Sequence, residues 1–446
     1  MPGEGNLTVM ASPGPDVTDC LEVAIQPGGK VIAISDLHLP PERTMVSGRC
    51  CEVLARRLGA EPSPLTVVLA GDIVEMLAYP GVAASDVLEA HDDLCVALAS
   101  VTEAGGQVIY TVGNHDGDLA WDLKAATAVR DLTGAKLCLA ADLRLPGGEL
   151  IRVEHGHQID PYNCFSDPRN PLDTPLGHHI VRDVIPKVEW LGRDWLTGAH
   201  EMADPADFPS FLASRLVYRK LARHLWWVVL VPVVAIALVL PALGRIRDKF
   251  PATGRWMHDG EILGYGALVD LAIIALIIVI VSRRAWTSIS ALALSGRGYG
   301  QNSAARERAD ALIADGYTGY LSGHTHHPEL RAHGRGFYGN TGSCTSVVEA
   351  IETIVGMPPV YLRTQQFSWL EITTDGGGMH AQLKSARVEL PGATRFERFL
   401  AAARNAHPAN PVSVGSWPDG PDWPPHNSSV RDSKHCKNLK KQISTT

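Results

Sequence analysis

The sequence predicts a layered α/β domain interrupted by an apolar two-helix hairpin, and three observations predict it. From Lys30 onward, short apolar runs rich in β-branched residues alternate with segments of helical spacing. Several of these runs end in a small cluster of Asp, Asn or His residues, usually beside a glycine. Between His155 and His324, 169 positions apart, the alternation gives way to two long stretches almost free of charge.

Residues 1–28 are polar and rich in Gly and Pro, with no basic segment leading into an apolar one. They read as a mobile leader, not as a cleaved secretory signal. Residues 29–200 then carry the first part of the α/β domain. Val31–Ile34 precedes Ser35-Asp36, Thr66–Leu69 precedes Gly71-Asp72, Val108–Tyr110 precedes Gly113-Asn114, and Leu150–Val153 precedes His155. Each run has the length and composition of a buried strand, and Ala83–Thr102 and Leu119–Thr133 have helical spacing between them. Polar clusters at the C-terminal ends of successive strands meet at one edge of the sheet, where α/β proteins place their sites.

Residues 201–300 form the insert. Phe208, Phe211, Leu212, Leu216, Val217 and Leu221 recur at helical spacing and predict an amphipathic helix lying on the domain or on a membrane surface. Leu225–Gly244 has no charged side chain over 20 residues, enough to cross a hydrocarbon layer of about 30 Å. Ile262–Ser282 is a second such stretch, interrupted only by Asp270. A transmembrane hairpin is the natural reading, with Trp226, Trp227 and Trp286 at the interface. The competing readings are a hairpin entering one leaflet and a pair of core helices. Residues 301–400 resume the domain with strands at Gly319–Ser322, Phe337–Asn340, Phe367–Ile372 and Met379–Lys384. Residues 401–446 lose periodicity and read as a disordered tail.

Bulk composition narrows the partners. At 446 residues and 45% hydrophobic, the chain can build a sizeable core. A net charge of −8 argues against a broad nucleic-acid surface. Eight scattered cysteines without a CxxC pair suit a reducing compartment. Attachment to the cell membrane, with the α/β domain on the cytoplasmic side, is the expected location.

The clusters supply oxygen and nitrogen donors in the mixture that two divalent cations need when held about 3.5–4 Å apart. Asp72 is placed to bridge. Asp36 and His38 alternate on what reads as an extended segment, Asn114 offers a neutral oxygen, and His324 and His326 are spaced to face separate ions. Such a pair of ions is a device for attacking phosphate esters.

The ordered set Asp36-Leu37-His38, Gly71-Asp72, Gly113-Asn114-His115-Asp116, His155-Gly156-His157 and Gly323-His324-Thr325-His326 resembles the calcineurin-like metallophosphoesterase family. The likeness covers residues 30–160 and 315–350. It implies a β-sandwich flanked by helices and two divalent ions, Mn, Fe or Zn. Asp36, His38 and His326 would hold the first ion, Asn114, His155 and His324 the second, and Asp72 both. His115 would stabilise the transition state or protonate the leaving oxygen, and Asp116 would orient it. Glu75 stands where many relatives have the second Asp of GDxxD, and would accept a hydrogen bond from a neighbouring ligand. The Ser-Asp-Leu-His-Leu start, Glu75 and Gly-His-Thr-His-His-Pro also resemble the UDP-diacylglucosamine pyrophosphohydrolase branch. His115 and His157, however, stand where that branch commonly has Arg and Asp.

The expected activity is hydrolysis of a phosphoester or pyrophosphate, with a lipid-linked substrate and membrane lipid as partners. A phosphatase or nucleotide phosphodiesterase acting on a soluble substrate, and a non-catalytic metal-binding scaffold, are the alternatives. His157 is open between a substrate contact and a supporting or surface residue, and Asn340 with Ser343 between lining the site and forming a tight turn, whereas the pair His178-His179 and His327 read as solvent-exposed polar residues.

Overall fold

A computed structural model describes residues 15–61, 64–191, 196, 198–202, 208–221, 302–351, 353, 358–375, 378–401 and 410–424, with scattered positions between 234 and 284. The described chain is a mixed α/β fold built on one continuous sheet. Its strands are β1 Thr18–Ala24, β2 Lys30–Ile34, β3 Leu65–Leu69, β4 Gln107–Thr111, β5 Lys136–Arg144, β6 Leu150–Glu154, β7 Gly319–Ser322, β8 Glu329–His333, β9 Gly336–Asn340, β10 Ser346–Ile351, β11 Val360–Asp375, β12 Gly378–Glu389 and β13 Val412–Trp417. They run in the order β13-β12-β11-β2-β3-β4-β5-β6-β7-β9-β8, with β1 added to β5 and β10 to β11. The motif-bearing strands β2, β3 and β4 are mutually parallel, so their C-terminal ends lie side by side.

Alternation along these strands divides the core in two. Ile32, Ile34, Val67, Leu69, Val108 and Tyr110 face helices α1 Met45–Gly59, α2 Ala84–Glu89, α3 Asp92–Glu103 and α4 Leu123–Thr133. Val31, Ala33, Val68 and Ile109 point the other way, and pack against Val153, Leu321, Phe337, Leu370 and Leu383 from the far half of the same sheet. The sheet is therefore folded over on itself, strand against strand. Its two ends meet: Leu330 in β8 and Trp423 beyond β13 exchange backbone hydrogen bonds of 2.9 and 2.8 Å, and the Phe337 and Trp417 rings lie 5.1 Å apart.

Three expectations are corrected here. The leader was to be mobile over residues 1–28, but Thr18–Ala24 is strand β1, parallel to β5. The tail was to be disordered from 401, but Val412–Trp417 is strand β13 on β12, and the Trp423 bridge closes the sheet. The helical run Ala83–Thr102 is two helices, broken at His91, where the ring bonds the Val87 carbonyl (2.8 Å) and Ser47 Oγ (2.9 Å).

Of the insert, the amphipathic part lies on the domain. Phe208–Arg215 is an α-helix, continued by a wider turn at Leu216–Leu221. Phe211 is buried against Leu196, Val348 and Tyr361, and Tyr218 against Ile351, Val360 and Leu362. Arg215 and Arg219 both donate to the buried Glu397 carboxylate, at 2.9 and 3.0 Å. The two long apolar stretches of the hairpin lie almost wholly outside the described residues. Among those described, no helix is long and apolar enough to cross a membrane.

Candidate dinuclear metal centre

The loops after β2 and β3 continue the parallel ladder beyond the strands. Asp36, His38 and Leu39 donate backbone N–H to the carbonyls of Gly71, Asp72 and Ile73 at 2.9–3.0 Å. This zipper turns Asp36 and Asp72 toward each other, but not through the extended segment the sequence suggested. Asp36 (φ 55°), His38 (φ 44°) and Asp72 (φ 54°) all have left-handed backbones, and buried Leu37 points into the core between the first two. His324 (φ 69°) and His326 (φ 58°) are left-handed as well. Among the described residues these five are the non-glycine positions with positive φ, and all five are expected metal ligands. Each such conformation costs on the order of 1 kcal/mol or more, and persists only where its surroundings over-determine it.

The glycines of the motifs are there because nothing larger fits. A Cβ on Gly113 would lie 2.1 Å from Asp72 Oδ1, one on Gly71 2.4 Å from His155 Nδ1, and one on Gly323 2.1 Å from Ser35 Oγ. Gly71 (φ 87°) also needs its backbone freedom.

The donors gather in three overlapping groups, of which His38, Asp72 and His115 form the middle one. Asp36, His38 and His326 form one outer group, with His326 Nε2 3.3 Å from Asp36 Oδ1 and 3.0 Å from His38 Nε2. Asp72, His155 and His324 form the other, with His155 Nε2 3.1 Å from Asp72 Oδ2. Asp72 Oδ2 is also 3.9 Å from His38 Nε2, so one carboxylate faces both outer groups. Asn114 Oδ1 is buried without a hydrogen-bond partner. Orphaned buried acceptors are rare in proteins, and this one belongs to the expected second-ion set. The residues fit a pair of divalent cations. Burial alone would raise the Asp72 carboxyl, but the imidazoles of His155 and His115 outweigh it and hold it well below the usual carboxylate range. Burial likewise pulls His155 down, but Asp72 lifts it to about 10. A cation would displace that proton.

His115 is oriented by Glu75 and not by Asp116, which corrects the expected pairing. His115 Nδ1 lies 2.8 and 2.9 Å from the two Glu75 oxygens, and His38 Nδ1 lies 2.7 Å from Glu75 Oε2. One carboxylate thus holds the imidazoles of His115 and His38 together. Burial lowers the His115 pKa, but Glu75 and Asp72 more than compensate and raise it to about 9, so the ring carries a proton at neutral pH. Asp116 faces the other way. It is fully buried and accepts from Gly113 N (2.6 Å), Ile73 N (2.8 Å) and Tyr110 Oη (2.6 Å), tying the third motif to the second. Burial, with Asp72 nearby, pushes its carboxyl up to about 7 against those three donors.

Sequence reasoning missed Asp160, whose Oδ2 lies 2.9 Å from His324 Nε2 and leaves Nδ1 as the nitrogen free for an ion. The signal was slight: an Asp five positions after His155, at a turn. His157 is buried 5.5 Å behind the His155 ring and packs edge-on against Phe165. His178 is half-buried on the other side of Phe165, where burial brings its pKa down to about 4. It is therefore not the solvent-exposed residue the sequence suggested, whereas His179 is exposed. Asn340 serves the turn, where its Oδ1 accepts from Gly342 N at 2.8 Å and Gly342 is left-handed (φ 73°), and the buried Ser343 donates its N–H to Ser368 Oγ at 3.0 Å.

Residues 29–213 match the family model described as calcineurin-like phosphoesterase. The chain carries the domain of a metal-dependent phosphoester hydrolase. The match spans less than half of the sequence and stops before Gly323-His324-Thr325-His326, which the fold returns to the same site. No curated protein matches the chain. Among solved structures, Vps29 from Entamoeba histolytica in complex with zinc is similar at 12% identity and a TM-score of 0.29, covering 81% of this chain and 98% of that one. A predicted phosphoesterase from Streptococcus pneumoniae is similar at 11% identity and a TM-score of 0.24, covering 82% and 95%. Phosphopantetheinyl hydrolase from Mycobacterium tuberculosis is similar at 11% identity and a TM-score of 0.26, covering 72% and 91%. Likenesses at these scores carry no argument about the activity of this phosphoesterase domain.

Proposed function

We propose that the chain is a membrane-attached phosphoesterase that uses two divalent cations, manganese, iron or zinc, to hydrolyse an amphiphilic phosphoester or pyrophosphate. The observation that carries the reading is the Asp72 carboxylate facing both outer donor groups. Asp36, His38 and His326 would hold one ion, Asn114, His155 and His324 the other. When bound, such a pair polarises the phosphoryl oxygens and makes water acidic enough to attack phosphorus. The protein's own part is positioning. Glu75 keeps the His115 ring turned toward the donors, and the proton on His115 is available to the leaving oxygen or to the developing charge on phosphorus.

The amphiphilic substrate is supported by exposed apolar side chains near the site. Leu176, Ile180 and Val184 recur every four positions along a helical run and are 55%, 39% and 49% exposed. His178 lies on that run, hydrogen-bonded to the Asn114 backbone. Within the insert, the described positions Val234, Leu238, Val269, Ile273 and Ile280 are each helical and exposed. Apolar helix surface on this scale suits a hydrocarbon environment, so the hairpin is read as holding the domain at the bilayer. The seven described cysteines are unpaired, which supports placing the domain on the cytoplasmic face.

The test is turnover of a phosphoester panel by the purified full chain with Mn²⁺, Fe²⁺ or Zn²⁺, with and without lipid–detergent micelles, beside metal stoichiometry. Two ions per chain, loss of binding in His326→Ala, and preference for a micellar lipid phosphate are expected. Equal turnover of a soluble aryl phosphate, unaffected by micelles, would favour the soluble-substrate alternative. Intact metal binding with no turnover of any phosphoester would favour the scaffold.

A further inference from the structure

The loop Gly323–His327 carries two expected ligands in left-handed conformations, and the residues of the loop itself do not account for its shape. Two buried amides clamp it. Asn340 Nδ2 donates to the Gly323 carbonyl (2.8 Å) and to Thr325 Oγ1 (3.1 Å). Asn302, 3% exposed and 22 positions before His324, holds the other side. Its Oδ1 accepts from Thr325 Oγ1 at 2.6 Å, and its Nδ2 donates to the His327 carbonyl at 3.1 Å and to Glu329 Oε2 at 2.8 Å. Glu329 in turn pairs with Arg306, one helical turn beyond Asn302. The Thr325 hydroxyl thus lies between two amides, while its neighbours His324 and His326 belong to the two outer donor groups.

We propose that Asn302 is a positioning residue of the metal centre: through Thr325 and the His327 carbonyl it holds His324 and His326 in the strained backbone that presents both imidazoles. An amide suits the position because it accepts from the hydroxyl and donates to the carbonyl at once. Neither a carboxylate nor an aliphatic side chain does both. The sequence left Asn302 unread because it lies outside every motif, at the end of the stretch 222–301. The proposal rests on His324 and His326 being ligands.

Titration of the metal-stripped full chain with Co²⁺, followed by its visible absorption, and with Mn²⁺ by calorimetry, reads the loop without reference to turnover. Asn302→Ala and Thr325→Val are each expected to weaken binding at least tenfold and to alter the Co²⁺ spectrum. The double variant is expected to lose less than the sum of the two single losses, because both remove the Asn302–Thr325 hydrogen bond. Glu329→Gln, which leaves the loop contacts in place, is expected to lower Tm and keep the spectrum. A wild-type Co²⁺ spectrum and affinity in Thr325→Val would overturn the proposal even if Asn302→Ala failed to fold. Additive losses would also overturn it. A His326→Ala protein that bound Co²⁺ like wild type would instead remove the ligand assignment beneath it.

Discussion

Glu75→Gln isolates the orienting carboxylate with almost no change of shape. Glu75 Oε1 accepts from Ala78 N at 2.9 Å, Oε2 faces His38 Nδ1 at 2.7 Å, and both oxygens lie within 2.9 Å of His115 Nδ1. A carboxylate can accept from all three donors. An amide offers one acceptor atom, so at least one ring N–H would meet an NH₂ group. Losing a buried hydrogen bond to a charged acceptor costs about 1.5–3 kcal/mol, and stranding its donor adds to that. A loss of about 3 kcal/mol corresponds to a drop on the order of a hundredfold. Because Glu75 serves both His38 and His115, the loss should be split between weaker binding of the first metal ion and lower kcat at saturating metal. Steady-state turnover across a Mn²⁺ titration, with Tm as a folding control, separates the two. A Glu75→Gln protein within threefold of wild type in both would refute the shared-carboxylate argument.

Two further outcomes follow from the geometry. Asp116→Ala strands three buried donors from Gly113, Ile73 and Tyr110, at about 1–3 kcal/mol each, so thermal denaturation should show a large fall in Tm; a normal Tm with the His115 pH profile displaced would restore its expected pairing with His115. Burial lowers the His91 pKa below 6.5, so the folded protein resists taking up a proton that the unfolded chain accepts. Stability from this residue is complete above about pH 6.5 and falls below it, by up to about 1.4 kcal/mol per pH unit until the folded pKa is reached. Urea denaturation of wild type and His91→Gln between pH 7 and pH 5 reads this as a slope that the variant lacks.

The site was legible where chemistry forces residue type. Seven donors at strand ends announce themselves because Asp, Asn and His beside Gly are poor choices for anything but a close, strained turn. The left-handed backbones at Asp36 and His38 were not legible, since Asp-Leu-His reads equally well as extended chain. Glu75 was visible as an acceptor, but its double engagement depends on the fold bringing β3 and β4 together. Asp160 and Asn302 act through one hydrogen bond or a few, and no spacing marks such residues. Among the elements, β2 to β4 are buried on both faces and declare themselves by continuous Val, Ile and Leu. β1 and β13 escaped because they are edge additions: Thr18–Ala24 is largely exposed and flanked by Gly and Pro, and Val412–Trp417 lies among Pro, Gly and Ser. Whole-chain composition misleads there, because a strand that pairs along one side needs little apolar surface of its own.

The order in which the donors leave the ribosome has its own consequence. Asp36, His38, Asp72, Asn114 and His155 emerge early, but His324 and His326 follow only after the long stretch 222–301 has been synthesised. A nascent chain that has reached residue 300 can present two first-ion donors besides Asp72, and no more. The full set of seven expected donors therefore cannot assemble until the chain has passed His326 and the returning loop has docked.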